Sequence, residues 1–147
     1  MLPILNPEIW GPQYWFVLYT MAVSYPLNVN SVTKKKYYDF IQNLPLFLPI
    51  ANMGNIFSQF LDRYPVTPYL DSRESFIKWV HFVHNKMNLY LGKKEITYKQ
   101  ALQQYYRHYI PKVEKRKDER KNREKYIFFG VIIALIIVII VLMINKG

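Results

Sequence analysis

The chain contains no cysteine. That absence excludes disulfides, thiolate catalysis and every metal site built on cysteine. Glycine is scarce, with 5 in 147 residues, and neither common glycine-rich phosphate loop occurs. No stretch alternates apolar and polar residues convincingly enough to predict a strand. Among the 3 histidines, His81 and His84 have the spacing of a metal pair. No acidic third ligand sits at a fitting helical step, so no metal site is expected.

What is abundant is aromatic and basic. Phe, Tyr and Trp make up 17% of the chain, including 13 Tyr and 9 Phe, which points to an aromatic-walled interior or cleft. The net charge is +10 and unevenly spread. Residues 112–125, KVEKRKDERKNREK, hold 8 Lys/Arg and 4 Asp/Glu in one short run. The run abuts an apolar segment, so attraction to a membrane surface is expected. Nucleic acid is not the expected partner, because Glu114, Asp118, Glu119 and Glu124 dilute the run and no aromatics interleave it.

The strongest helical pattern lies over 72–93. Asp71 or Ser72 can cap it, and Glu74 suits the positive end of the helix dipole. Phe76, Val80, Val83, Met87 and Leu91 form an apolar stripe, and Gly92 is placed to end it. Beside the stripe, His84, Asn85 and Asn88 fall within one turn of each other, which predicts a patch able to hydrogen-bond a planar ligand or to satisfy buried backbone.

The other helices follow from their punctuation. Residues 1–11 form a short lead-in without the shape of a signal peptide. Gly11-Pro12 predicts a first helix running to about Ser24, with Trp15, Leu18, Tyr19 and Ala22 on one face. Ser31 predicts the cap of a second helix over 32–44, buried through Tyr37, Phe40, Ile41 and Leu44. Lys34, Lys35 and Lys36 form its wet side, and Pro45 ends it. Pro49 opens a third, with Ile50, Met53, Ile56, Phe57, Phe60 and Leu61 at three- and four-residue steps. Tyr64 to Leu70 reads as a loop. Thr97-x-x-Gln100 is a capping box for a short fifth helix carrying Tyr98, Ala101, Leu102 and Tyr105. The expected fold is all-α, a four-helix bundle plus a short fifth helix over 1–111.

Residues 112–125 are expected to be a charged juxtamembrane stalk, about 20 Å long if helical. Residues 126–144 are uncharged and rich in Ile, Val, Leu and Phe, which suffices to cross a bilayer core of about 30 Å. Only 145–147 follow, so a single-pass tail anchor is expected. The basic flank on its N-terminal side places the domain in the cytosol.

Several motifs occur together in order. Trp10-Gly11-Pro12-x-Tyr14-Trp15-x-x-Leu18 opens the first helix, and Tyr25-Pro26 ends it. Leu48-Pro49 begins the third. Trp79-x-x-x-x-His84-Asn85-x-x-Asn88-x-x-Leu91-Gly92-Lys93 makes the fourth. From about Glu8 to Tyr105 the chain resembles the ERV/ALR family of FAD-dependent sulfhydryl oxidases, particularly the small forms of large DNA viruses. The resemblance implies FAD beside Trp15, His84, Asn85, Asn88 and Lys93, with Tyr19 standing where the family usually has histidine. The family's redox Cys-x-x-Cys pair falls on Ile50 and Met53, and its structural disulfide on His81 and Tyr98. No other residue type carries out thiol–disulfide exchange, so the family reaction is not expected here. Ile50 and Met53 are expected to pack on one face of the third helix. His81 and Tyr98 should remain together as a stacked or hydrogen-bonded pair, since a disulfide needs Cα atoms about 6 Å apart.

The resemblance therefore implies a redox-inactive scaffold, a minor capsid or inner-membrane protein of a virion that joins the lipid layer to capsid proteins. A homodimer is a further expected partner state. The alternative is an FAD-linked oxidase, or an accessory of a thiol relay, that uses a partner's cysteines.

Overall fold

The computed structural model describes residues 5–144; the expected tail 145–147 lies outside the described residues. Among the described residues six α-helices follow in order: α1 Pro7–Val23, α2 Ser31–Asn43, α3 Ala51–Arg63, α4 Arg73–Tyr90, α5 Tyr98–Tyr106 and α6 Lys112–Ile144. No strand occurs among the described residues. The chain divides into two compact units, Met1–Tyr105 and Tyr106–Gly147.

The helix starts differ from those expected by up to a turn and a half. α1 begins at Pro7, not near Pro12. Asn6 caps it by accepting from the Glu8 N–H at 2.9 Å, Pro7 takes an early position and Glu8 supplies an acid to the first turn. Asn-Pro-Glu satisfies each requirement of a helix start, so Pro12 ends up inside the helix. Likewise Asn30, not Ser31, caps α2 by accepting from the Thr33 N–H at 2.8 Å. After Asn43 the chain tightens into a 3-10 turn over Leu44–Phe47, where Pro45 has no N–H to extend an α-helix. Phe40 is 37% exposed, so Ile41 and Leu44 carry the burial of that face.

α4 is the centre of the first unit. Ser72 caps it, accepting from the Ser75 N–H at 3.1 Å. Phe76, Trp79, Val80, Val83 and Met87 are buried. Burial of side chains this size stabilises by about 1.5–3 kcal/mol each. Leu91 is 40% exposed and lies past the last turn, outside the core. The helix ends in a Schellman arrangement. Gly92 has φ 68°, its N–H reaches the Leu89 carbonyl at 3.0 Å, and the Lys93 N–H reaches the Asn88 carbonyl at 2.8 Å.

The 64–70 loop is held by buried polar contacts. The Trp79 indole N–H donates to the Tyr64 carbonyl at 3.0 Å, and the Tyr25 hydroxyl donates to the Leu70 carbonyl at 2.7 Å. Arg73 donates back to the Tyr25 carbonyl. The capping box of α5 forms in both directions, Thr97 N–H to Gln100 Oε1 at 2.8 Å and Gln100 N–H to Thr97 Oγ1 at 3.2 Å.

In the second unit, α6 carries both the charged run and the apolar run as one helix. Its described side chains are all exposed within the chain. Arg120 and Glu124 pair at 2.8 Å across one turn. Over Glu119–Val141 it is long and apolar enough to cross a membrane.

α3 meets the Leu44–Phe47 turn at Gly54, where an added Cβ would sit 2.6 Å from the Pro45 carbonyl oxygen. Because that atom is backbone, the strain cannot be relieved by a rotamer change. Gly54→Ala is expected to cost about 1–3 kcal/mol, seen as a lower melting temperature of the first unit. An unchanged melting temperature would mean that α3 and the turn are not so closely apposed.

Candidate functional site

Residues expected on one patch of α4 separate in the structure. Positions 84 and 85 are about 100° apart around a helix of 3.6 residues per turn, so they serve different neighbours. The His84 ring stacks on Trp15 of α1, with centroids 4.2 Å apart and planes inclined by 19°. Its Nδ1 lies 3.5 Å from the Tyr19 hydroxyl. Tyr19 is buried and also packs against Tyr105. Burial raises the Tyr19 phenol above its ordinary range, so it stays protonated.

Asn85 faces the connection before α5. Its Nδ2 donates to the Ile96 carbonyl at 2.9 Å, and its Oδ1 accepts from the Ile96 N–H at 3.0 Å. His81 Nε2 lies 2.9 Å from the same carbonyl. A proton on Nε2 lets the ring donate to that carbonyl. The buried-backbone role is thus the one Asn85 fills.

His81 and Tyr98 lie together, with ring centroids 5.5 Å apart, but not in the expected stack. The contact is edge-on, at 79° between planes, because the His81 nitrogen is directed to Ile96 instead. Asn88 is half-buried, and its carbonyl accepts from the Lys93 N–H at the helix end, while Lys93 itself is exposed.

A small cleft opens beside this cluster, bordered by α1, the Leu44–Phe47 turn and its sequel, α3 and α4. Trp10, Tyr14, Trp15, Met53, Phe57 and Met87 are among its walls. Of the six residues expected at a cofactor, only Trp15 borders it. Met53 also borders it, but Ile50 does not. Ile50 is the extended residue preceding α3, at φ −120° and ψ 116°, so the two do not share a helical face. Pro49 biases the chain away from helix before it, and the first full turn forms only after residue 50.

Trp10, Tyr14, Phe57 and Met87 were not expected at the site. Trp10 and Tyr14 stand in the same motif as Trp15 and touch edge-on at 5.5 Å. Tyr14 also donates to the Phe47 carbonyl at 2.6 Å, tying α1 to the turn. The sequence signal was the four-residue step from Trp10 to Tyr14, which sets both rings on one face once the helix starts at Pro7. Among the described residues there is no cluster of three potential metal ligands.

A small all-α domain with an apolar, aromatic-walled cleft between helices is the class this geometry defines. The chain belongs to the Erv1/Alr family, whose model matches residues 12–107. It is 34% identical over 109 residues to the Acanthamoeba polyphaga mimivirus protein named "Probable FAD-linked sulfhydryl oxidase R368", covering 74% of this chain and 76% of that one. It is 30% identical over 83 residues to the mitochondrial FAD-linked sulfhydryl oxidase erv1 of Schizosaccharomyces pombe, covering 56% and 46%. The crystal structure of the yeast Erv1 core matches with a TM-score of 0.63 at 22% identity, covering 71% of this chain and 86% of that one.

Two measurements test the polar framework. Asn85→Ala leaves the Ile96 N–H without its partner, while His81 still reaches the carbonyl, and is expected to cost about 1–3 kcal/mol in urea unfolding, the range for one unsatisfied buried group. A cost below 1 kcal/mol would show that water replaces the amide. Burial, with the charges of His81 and Lys93, lowers the His84 pKa to about 4. The unfolded chain takes up that proton near pH 6.5 and the folded chain only near pH 4. Stability should therefore fall as pH drops through that window, by up to about 3 kcal/mol, and His84→Phe should remove that part of the slope. An equal slope in the variant would assign the proton elsewhere.

Proposed function

We propose that this chain is a thiol-independent member of its family, a helical domain that holds FAD in the cleft and serves as a membrane-anchored scaffold instead of an oxidase. The observation that carries the reading is the complete absence of cysteine in a chain of this family. A bound flavin can accept an electron pair, but Ile50 and Met53 offer no thiol to donate one.

The cleft residues suit such a ligand. The walls are apolar and aromatic, as flat-ring sites commonly are. Trp15 offers an indole already stacked on one face by His84. The Trp10 indole N–H is buried with no partner among the described residues, a donor suited to a heterocycle's acceptor atoms. Trp10, Tyr14, Trp15, Met53 and Phe57 would hold the ring, and His84 would fix the plane of Trp15. Tyr19, Asn85, Asn88 and Lys93 would act behind that wall through the α1–α4 packing and the end of α4.

The anchoring role rests on α6. Its apolar run would cross a bilayer, and the basic run beside it would lie against anionic headgroups on the side of the domain. In this reading the domains are 1–111, the stalk 112–125 and the span 126–144. With a viral relative among its matches, the proposed place is the inner membrane of a virion, the domain facing the capsid. Its partners there would be capsid proteins and a second copy of the chain.

The test uses the full chain purified in detergent. A flavin absorbance band, with no oxygen uptake on adding dithiothreitol, is the expected result. A colourless protein that also fails to take up added FAD would sink the flavin half. Sustained oxygen uptake with dithiothreitol would favour the alternative of a thiol relay fed by partner cysteines. In cells, the chain should stay with membranes through alkaline extraction, and removal of 126–144 should release it.

A further inference from the structure

We propose that the Leu44–Phe47 turn is a second lipid contact of this chain: Leu46 and Phe47 enter the boundary between headgroups and acyl chains of the bilayer that α6 spans. The inference rests on the anchoring reading above and adds a surface of the first unit to it.

The turn divides its side chains between two roles. Leu44 is buried, and Leu48, which follows the turn, borders the cleft. Between them Leu46 is 79% exposed and Phe47 68%, and neither borders the cleft. Single exposed apolar side chains are ordinary, whereas two large neighbours at one tip mark a contact with something apolar. The tip is also held in place. The Tyr14 hydroxyl donates to the Phe47 carbonyl at 2.6 Å, the Leu48 N–H donates to the Pro45 carbonyl at 3.4 Å, and that carbonyl lies against Gly54 of α3. The bundle therefore sets the tip in advance, and little freedom is lost when it binds. The start of α1, which reaches the same cleft through Pro7, exposes Leu5 and Ile9 as well.

Charge and tether identify the partner as lipid. Residues 9–33 and 40–61 contain no Lys, Arg, Asp or Glu. They supply α1 beyond its first residues, the turn itself and nearly all of α3. A protein partner is ordinarily met through a polar rim around an apolar centre, whereas an acyl phase asks for no charge. Phe and Leu are among the side chains that interfacial segments bury at the headgroup boundary. The same chain carries a helix long and apolar enough to cross a bilayer. With that helix inserted, the tip meets lipid as an intramolecular event, so two side chains suffice where a free domain would come off.

The absence of cysteine makes the test direct, since one added thiol is the only one to label. The full chain is reconstituted in phosphatidylcholine vesicles with an environment-sensitive fluorophore on Leu46→Cys or, for comparison, on Lys99→Cys, an exposed position of α5. Lipids carrying a quencher on the acyl chain are expected to quench the label at 46 and not the label at 99, at low and high salt alike. Adding Phe47→Glu should abolish the quenching at 46, because a carboxylate is costly among acyl chains. Equal quenching at the two positions in a chain that floats with the vesicles, or quenching at 46 that survives Phe47→Glu, overturns the lipid contact and leaves the anchoring reading standing. A label at 46 shielded from aqueous iodide but untouched by the lipid quencher assigns the tip to a protein surface, a second copy included, and also overturns it. A chain that does not float with the vesicles overturns both.

Discussion

The His84–Trp15 stack is the contact on which the rest of the first unit depends. It joins the longest helix of the bundle to α1 and fixes the plane of a ring that walls the cleft. The contact is made by a neutral imidazole, because burial and nearby positive charges hold the proton off until the solution is well acidic. Tyr19 meets the ring at its edge, its hydroxyl 3.5 Å from Nδ1, and packs in turn on Tyr105. A chain of aromatic contacts thereby runs from α1 through α4 to the end of α5.

A second constraint works at the opposite edge of α4. Asn85 and His81 reach the backbone of Ile96 and hold the segment before α5 against the helix. The edge-on contact of His81 with Tyr98 adds to this. In the family the same place is expected to carry a disulfide, so directed hydrogen bonds and ring packing would do here what a covalent link does elsewhere. Such groups are local and geometric, whereas a disulfide acts largely on the unfolded chain. The same two elements can be held together by quite different physics.

Much of this was legible from residues alone. The Ser72 cap, the Gly92 ending and the two-way Thr97–Gln100 box are local devices whose parts lie within a few residues, and each forms as read. The start of α1 lies at Asn6-Pro7-Glu8, where capping amide, proline and acid follow in order, and not at Gly11-Pro12, which also carries a helix-start signal. Ile50 was placed on a helical face because its spacing to Met53 is helical, although Pro49 delays the helix. His84 and Asn85 each stand a helical step from Asn88, which suggests one patch, yet the two are adjacent positions and diverge in direction.

The sequence by itself determined what chemistry is closed to this protein and what its last helix can do. Without a cysteine no thiol can be exchanged, and an uncharged apolar run has no polar face for water; both follow from composition and need no coordinates. Tertiary structure alone decided that Trp10, Phe57 and Met87 meet Trp15 around one cleft, that Asn85 turns to Ile96, and that the Trp10 N–H lacks a partner. Those facts depend on where separate helices cross, and crossing is set by the packing of whole faces, which local spacing does not encode.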